Sequence, residues 1–236
     1  MGRSGGAALF FCASLCKCPV KFLLRGNFLN ILLIDGHPDE GRFSSYLLDL
    51  YQAALPADAD VTRVNVREMD FTPNLRHGYL KRTDWEPDIL ALAEKFDACD
   101  HAVFAFPMWW GGEPAELKGL IDRLFLPGFM YQFREGSALW DKYLEGRSAD
   151  VIATMDTPPF FLRLLYGNAI INRWKGQVLG FVGFSPVRFL ACGVIKDGGA
   201  EKNFAKWQRK IEKMARSIRP KSPEKKQARL KAFLGG

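Results

Sequence analysis

The chain of 236 residues has only three histidines and five cysteines, and no apolar run approaches the roughly 20 residues that a membrane-spanning helix needs. Cysteine at this level excludes a disulfide scaffold, and glycine (22) and proline (13) are too sparse for a collagen-like or low-complexity chain. Also missing are GxGxxG and GxxxxGK[ST], the fingerprints of Rossmann dinucleotide sites and phosphate loops. What remains is ordinary for a globular domain: 48% hydrophobic and 13% aromatic residues, enough for one sizeable core.

The net charge of +7 is unevenly placed. From Lys202 onward twelve Lys and Arg face only Glu212 and Glu224, which leaves a body of −3 and a final stretch of +10. Basicity therefore belongs to the end of the chain, where charge runs usually just solvate. No nucleic-acid partner is expected, nor membrane contact through the tail, and residues 220–236 are expected to be a solvated basic tail. Residues 1–27 carry Cys12, Cys16 and Cys18 and the short apolar stretch Ala7–Leu15, with no clear cleavage site after it. They are expected to be a disordered extension, and three clustered cysteines without a nearby histidine do not make a zinc site, so no metal is expected. Cys99 and Cys192 read as buried thiols in a reducing, cytoplasmic setting.

Between these ends, residues 28–219, strand and helix alternate. Residues 28–34 (FLNILLI), 61–66 (VTRVNV), 101–106 (HAVFAF), 149–153 (ADVIA) and 177–183 (QVLGFVG) read as strands from their apolar and β-branched content. Helical spacing marks Ser44 or Ser45 to Pro56, then 87–96, 117–125, and a last helix through Phe204, Trp207, Ile211, Met214 and Ile218 up to Pro220. Strands joined through helices pair in parallel by right-handed crossovers, which gives an α/β, doubly wound sheet of five parallel strands. Such sheets bind ligands beyond the carboxyl ends of their strands.

Three strand-end loops carry the candidate chemistry. DGHPDEGRFSS (35–45) offers His37, Arg42, hydroxyls and a helix start whose free N–H groups attract anions; a turn histidine capping local backbone is the alternative for His37. PMWWGGEPAELKGLIDRLF (107–125) sets Trp109 and Trp110 beside two glycines at a strand end. Adjacent side chains point in different directions, so a core rarely wants both, and glycine lets backbone approach a flat ligand; a tryptophan packing cluster is the alternative. TMDTPPFF (154–161) brings Thr154, Asp156 and Thr157 to the same rim, though taken by itself a plain turn is the stronger reading.

With GHPDEGRFSS at 36–45, FPMWWGGEPAELKGLIDRLFLPGFMY at 106–131 and the strand ending at Thr154, the chain resembles the flavodoxin-like NAD(P)H quinone oxidoreductases from about Asn30 to Ile218. The resemblance implies a flavodoxin-like sheet in the order 2-1-3-4-5, a bound FMN or FAD, NADH or NADPH as electron donor, a small-molecule acceptor such as a quinone, and a homodimer. It places His37, Phe43 and Ser44 at the flavin's phosphate and ribityl chain, and Pro107, Met108, Trp109, Trp110, Gly111 and Thr154 around its ring. Tyr131 and Phe133 match positions that the partner subunit contributes to the substrate pocket. Where the family often has Thr-Gly-Gly, this chain has Thr154-Met155-Asp156. Where a Tyr and a His serve proton relay, it has Phe161 and Gly167, so no catalytic acid or base is assigned. The implied reaction is two-electron, ping-pong hydride transfer. A one-electron flavodoxin-type carrier and a flavin-binding regulatory subunit of a larger protein stay open beside it.

Overall fold

NILLID, apolar and β-branched, forms β1 (Asn30–Asp35), buried from Ile31 onward. The computed structural model describes residues 29–220 and 223–235; Phe28, the extension 1–27 and its three cysteines lie outside them. In chain order follow α1 (Phe43–Ala53), β2 (Asp60–Asn65), α2 (Pro87–Ala98), β3 (His101–Pro107), α3 (Ala115–Leu124), β4 (Tyr131–Phe133), β5 (Trp140–Lys142), β6 (Ser148–Thr154), α4 (Pro159–Leu164), α5 (Ala169–Asn172), α6 (Leu179–Val182), β7 (Val187–Cys192), α7 (Gly199–Arg216) and α8 (Leu230–Leu234). The order β2-β1-β3-β6-β7, parallel throughout, is the flavodoxin-like order 2-1-3-4-5 expected from the sequence. β4 and β5 make a separate antiparallel hairpin that the sequence reading did not foresee.

Helices cover both faces, so β3 and β6 are buried along their whole length. On one face Leu47, Leu48 and Tyr51 of α1 meet Trp207 and Ile211 of α7; on the other Phe104 and Phe106 pack under Leu117, Leu120 and Trp174. Pairing aligns Asp35 with Ala105 and Pro107 with Thr154, so the loops after β1, β3 and β6 leave the sheet side by side.

Two expectations are overturned. The fifth strand is not 177–183: QVLGFVG completes the π-helical turn Arg173–Val178 and forms α6, ended by Gly183 at φ +117. Its buried residues Val178, Leu179 and Val182 have helical spacing, and a seven-residue apolar run does not separate strand from buried helix. The strand is instead Val187–Cys192. The described part of the tail, 223–235, is not free in solvent either: Leu230 is buried, and Phe233 packs against Trp85 at 4.7 Å. Its Lys226 pairs with Asp100 at 2.6 Å, so part of the positive charge is matched by acids of the body.

Candidate functional site

The loop after β1 folds on itself. The backbone N–H of Asp39 donates to His37 Nδ1 (2.9 Å), which leaves the neutral ring with Nε2–H as its donor. Burial holds His37 below the ordinary histidine range against the opposing pull of Asp35, so the ring is neutral near pH 7. The Asp35 carboxylate, fully buried at the strand end, accepts from the His37 N–H (3.2 Å) and pairs with Arg63 (3.2 Å) and Arg67 (3.1 Å). Gly41, at φ +67 with open space where a Cβ would stand, turns the chain into α1. At that helix start Arg42 gives no side-chain cap, and the hydroxyls of the buried Ser44 and Ser45 have no partner. Unpaired first-turn N–H groups beside an orphaned hydroxyl suit an anion such as a phosphate. The Phe43 ring turns away to Trp207 (6.0 Å) and Tyr46 (6.4 Å), so at this loop Phe43 offers backbone alone.

After β3 the backbone of Trp109 and Gly112 exchange hydrogen bonds of 2.9 and 3.0 Å around a two-residue turn. Trp110 (φ +51) and Gly111 (φ +78) are both left-handed there, a conformation that a bulky residue rarely adopts. The Trp110 ring stands fully exposed, and Trp109 packs edge-on to His37 at 5.7 Å, joining the first two loops. Pro107 is buried, and the Met108 N–H donates to the Thr154 carbonyl (2.7 Å), joining the third. Met108, Trp110 and Gly111 line an open cleft of about 470 Å³ with Asp156, Thr157, Leu162, Tyr166 and Ile170. Thr154, at the end of β6, is buried and does not line the cleft. Met155, standing where glycine was expected, points into the core, and Asp156 is drawn aside by Lys196 (2.9 Å), so neither side chain fills the cleft.

Tyr131 and Phe133 are not in this cleft. Tyr131, with its ring on Phe181 (4.9 Å), lines a second cavity of about 230 Å³ with Tyr79, Lys118, Phe125 and Arg173, while Phe133 is half exposed beside it. Burial and the neighbouring Tyr79 phenol push the Tyr131 hydroxyl up to about 12, so it stays protonated across the physiological range.

What holds the turn is a contact that no local sequence pattern marks. Glu113, buried directly after it, takes a two-pronged ion pair from Arg173 (one contact at 2.7 Å) and the indole N–H of Trp174 (3.1 Å). Burial alone would raise this carboxyl; the Arg173 hydrogen bonds outweigh it and hold Glu113 below the usual carboxylate range. An acid embedded in an apolar segment was the available signal for Glu113, but nothing in the sequence marks a partner sixty positions away.

These three loops stand together at the carboxyl edge of a sheet in the flavodoxin-like order 2-1-3-4-5, where sheets of this kind bind ligands. The family described as having a flavodoxin-like fold matches residues 29–215, and the chain belongs to it. It is 32% identical over 103 residues to rat NAD(P)H dehydrogenase [quinone] 1, a match covering 42% of this chain and 36% of the rat protein. It is 33% identical over 99 residues to an FMN-dependent NADH:quinone oxidoreductase of Ruegeria pomeroyi, covering 42% and 44%. The chain thus spans about half or less of the length of these relatives. Among solved structures, Smu.1420 from Streptococcus mutans superposes with a TM-score of 0.68 at 28% identity, covering 80% of this chain and all of that one. Among the described residues no helix is long and apolar enough to cross a membrane, and no group of histidine, cysteine and acidic side chains is arranged to hold a metal.

Proposed function

We propose that this chain is a flavin-dependent oxidoreductase that takes hydride from NADH or NADPH and passes two electrons to a quinone or similar acceptor. One observation carries the reading: an uncapped α1 start with the orphaned Ser44 hydroxyl lies beside an open cleft floored by a left-handed Trp110-Gly111 turn. That pairing of an anion cradle with a slot for a flat ring matches the shape and charge of a flavin phosphate. FMN and NADH are favoured over FAD and NADPH by the name of the Ruegeria relative.

When bound, a flavin supplies a hydride-accepting ring nitrogen and returns the electrons to an acceptor. The chain's own task is to bind and orient. His37 Nε2–H, the Ser44 hydroxyl and the first N–H groups of α1 would hold the phosphate; Pro107 and Met108 would wall the ring, and the N–H groups of Trp110 and Gly111 would donate to its edge. One cleft then admits nicotinamide and acceptor in turn, which gives ping-pong kinetics. No side chain needs to act as acid or base, since water reaches the open cleft.

A homodimer completes this site. Phe160, Phe161, Leu164, Leu165 and Tyr166 are each about half exposed or more beside the cleft, an apolar belt of the kind that marks an interface. A second copy covering it would bring Tyr131 and Phe133 over the partner's cleft as the wall against the acceptor.

The deciding experiment is the absorbance spectrum of the purified protein, then anaerobic NADH or NADPH, then a quinone. A flavin band that bleaches and recovers with the quinone supports the enzyme. A bound flavin that stays oxidised favours the carrier or regulatory alternative, and a protein that takes up neither FMN nor FAD overturns the site.

A further inference from the structure

The described end of the chain, residues 223–235, docks on the body through contacts that are specific at both ends. Its first half closes the amino-terminal edge of the sheet. Lys226 reaches the last turn of α2, pairing with Asp100 (2.6 Å) and with the Ala98 carbonyl. The Gln227 carbonyl accepts from the guanidinium of Arg147 (3.0 Å), a fully buried cation whose same nitrogen also donates to the Asp97 carbonyl (2.8 Å). The body therefore holds a buried charge that the tail helps to satisfy. The Asp97 carboxylate in turn accepts the backbone N–H groups of Arg229 (2.6 Å) and Leu230 (3.3 Å), acting as a cap for α8 supplied by another helix. Arg229 lies over the Tyr143 ring at 3.8 Å.

α8 then carries Phe233 into a neighbouring aromatic group. Its ring packs on Trp85 (4.7 Å) and Phe129 (5.5 Å), lies under the guanidinium of Arg82 (4.4 Å), and sits against Gly128. These neighbours belong to two segments, the loop 75–85 and the turn 126–131. Phe233, Tyr79, Arg82, Leu126 and Pro127 line one small cavity, and Tyr79 also lines the cavity of Tyr131. Tyr79 thus forms a wall shared by the two, and Phe233 backs it from the far side.

We propose that the C-terminal segment is a strap that positions the Tyr79 loop and the Tyr131 turn, so that the end of the chain shapes the acceptor pocket. Phe233 and Arg82 are positioning residues and touch no substrate. The effect on turnover rests on the oxidoreductase reading above; the effect on the loop does not.

The test compares the full-length chain with Phe233→Ala and with Phe233→Leu, which restores apolar bulk. Limited trypsin digestion reads cleavage after Arg76, Lys81 and Arg82 independently of activity, and quinone kinetics read the pocket. Phe233→Ala is expected to speed cleavage in 76–82 by about fivefold or more, a measure of local opening. It should raise the quinone KM by a similar factor while kcat and flavin content hold, and Phe233→Leu should move both values back toward the wild type. Unchanged cleavage in Phe233→Ala overturns the strap whether or not the protein turns over. Faster cleavage with an unchanged KM in an active enzyme overturns its link to the pocket. If the wild-type chain does not turn over at all, the oxidoreductase reading fails by itself and the digestion alone decides the strap.

Discussion

Trp110 is the residue where local cost and site geometry meet. Holding a bulky side chain at φ +51 costs of order 1 kcal/mol or more, and its fully exposed ring recovers nothing from packing within the chain. Trp110→Gly should therefore raise the thermal midpoint by about 2–4 °C while weakening flavin retention through lost stacking; calorimetry and a flavin titration on one preparation read both signs. Tyr131→Ala should do the reverse at the site, raising the acceptor KM with flavin content near normal. Asp150 belongs to the far end of the sheet, where it accepts from Tyr51 (2.6 Å) and from Arg188 twice (2.6 Å each). Tyr51 spends its proton there, so it accepts from His101 Nε2–H (3.0 Å), and His101 Nδ1 accepts from Ser148 (2.7 Å). Burial alone would raise the Asp150 carboxyl, but the nearby His101 ring (Nε2 at 3.4 Å) and the Arg188 hydrogen bonds prevail and depress it. A depressed carboxyl stabilises the fold above its unfolded pKa of about 3.9, and that stability is lost only as pH falls through the lower folded value. Asp150→Asn should cost about 3 kcal/mol in urea unfolding at pH 7, because Arg188 is left unpaired. The gap between variant and wild type should close below pH 4 rather than near pH 6.

Among the elements, α3 shows a glycine fixed by close approach. A Cβ on Gly119 would stand 2.8 Å from the Pro73 carbonyl oxygen and 2.9 Å from its Cα, backbone that cannot swing aside. Alanine gains up to about 1 kcal/mol of helix propensity there, yet overpacking costs about 1–3 kcal/mol, so Gly119→Ala should lower the unfolding midpoint. Elements with an unambiguous period were legible from sequence: α1, α2, α3 and α7 stand within a few residues of their predicted places, and β3 and β6 read as apolar runs ended by Pro107 and Thr154. QVLGFVG was not, because a buried one-turn helix and a buried strand look alike at that length. β4 and β5, at three residues each, are too short to show a period. The loops flanking the cleft were visible as motifs, while their supports, Arg173 for Glu113 and Lys196 for Asp156, act across distances that no local pattern records.

At the scale of the whole molecule, the sheet has one end open for a ligand and the other closed by the Tyr51–His101–Asp150–Arg188 network and the strap. The apolar belt from Phe160 to Tyr166 is exposed on the single chain, and the proposed dimer would cover it. Sedimentation velocity at micromolar concentration should show a dimer, and Leu164→Glu should shift it to monomer and raise the acceptor KM while the fold holds; a monomeric wild type would refute the shared site. The acceptors proposed for this protein are electrophiles that arylate thiols. Cys99 and Cys192 are both buried, and burial pushes them up to about 11 and about 12, so both stay protonated at pH 7. At these two positions the scaffold is chemically blind to the compounds it would reduce.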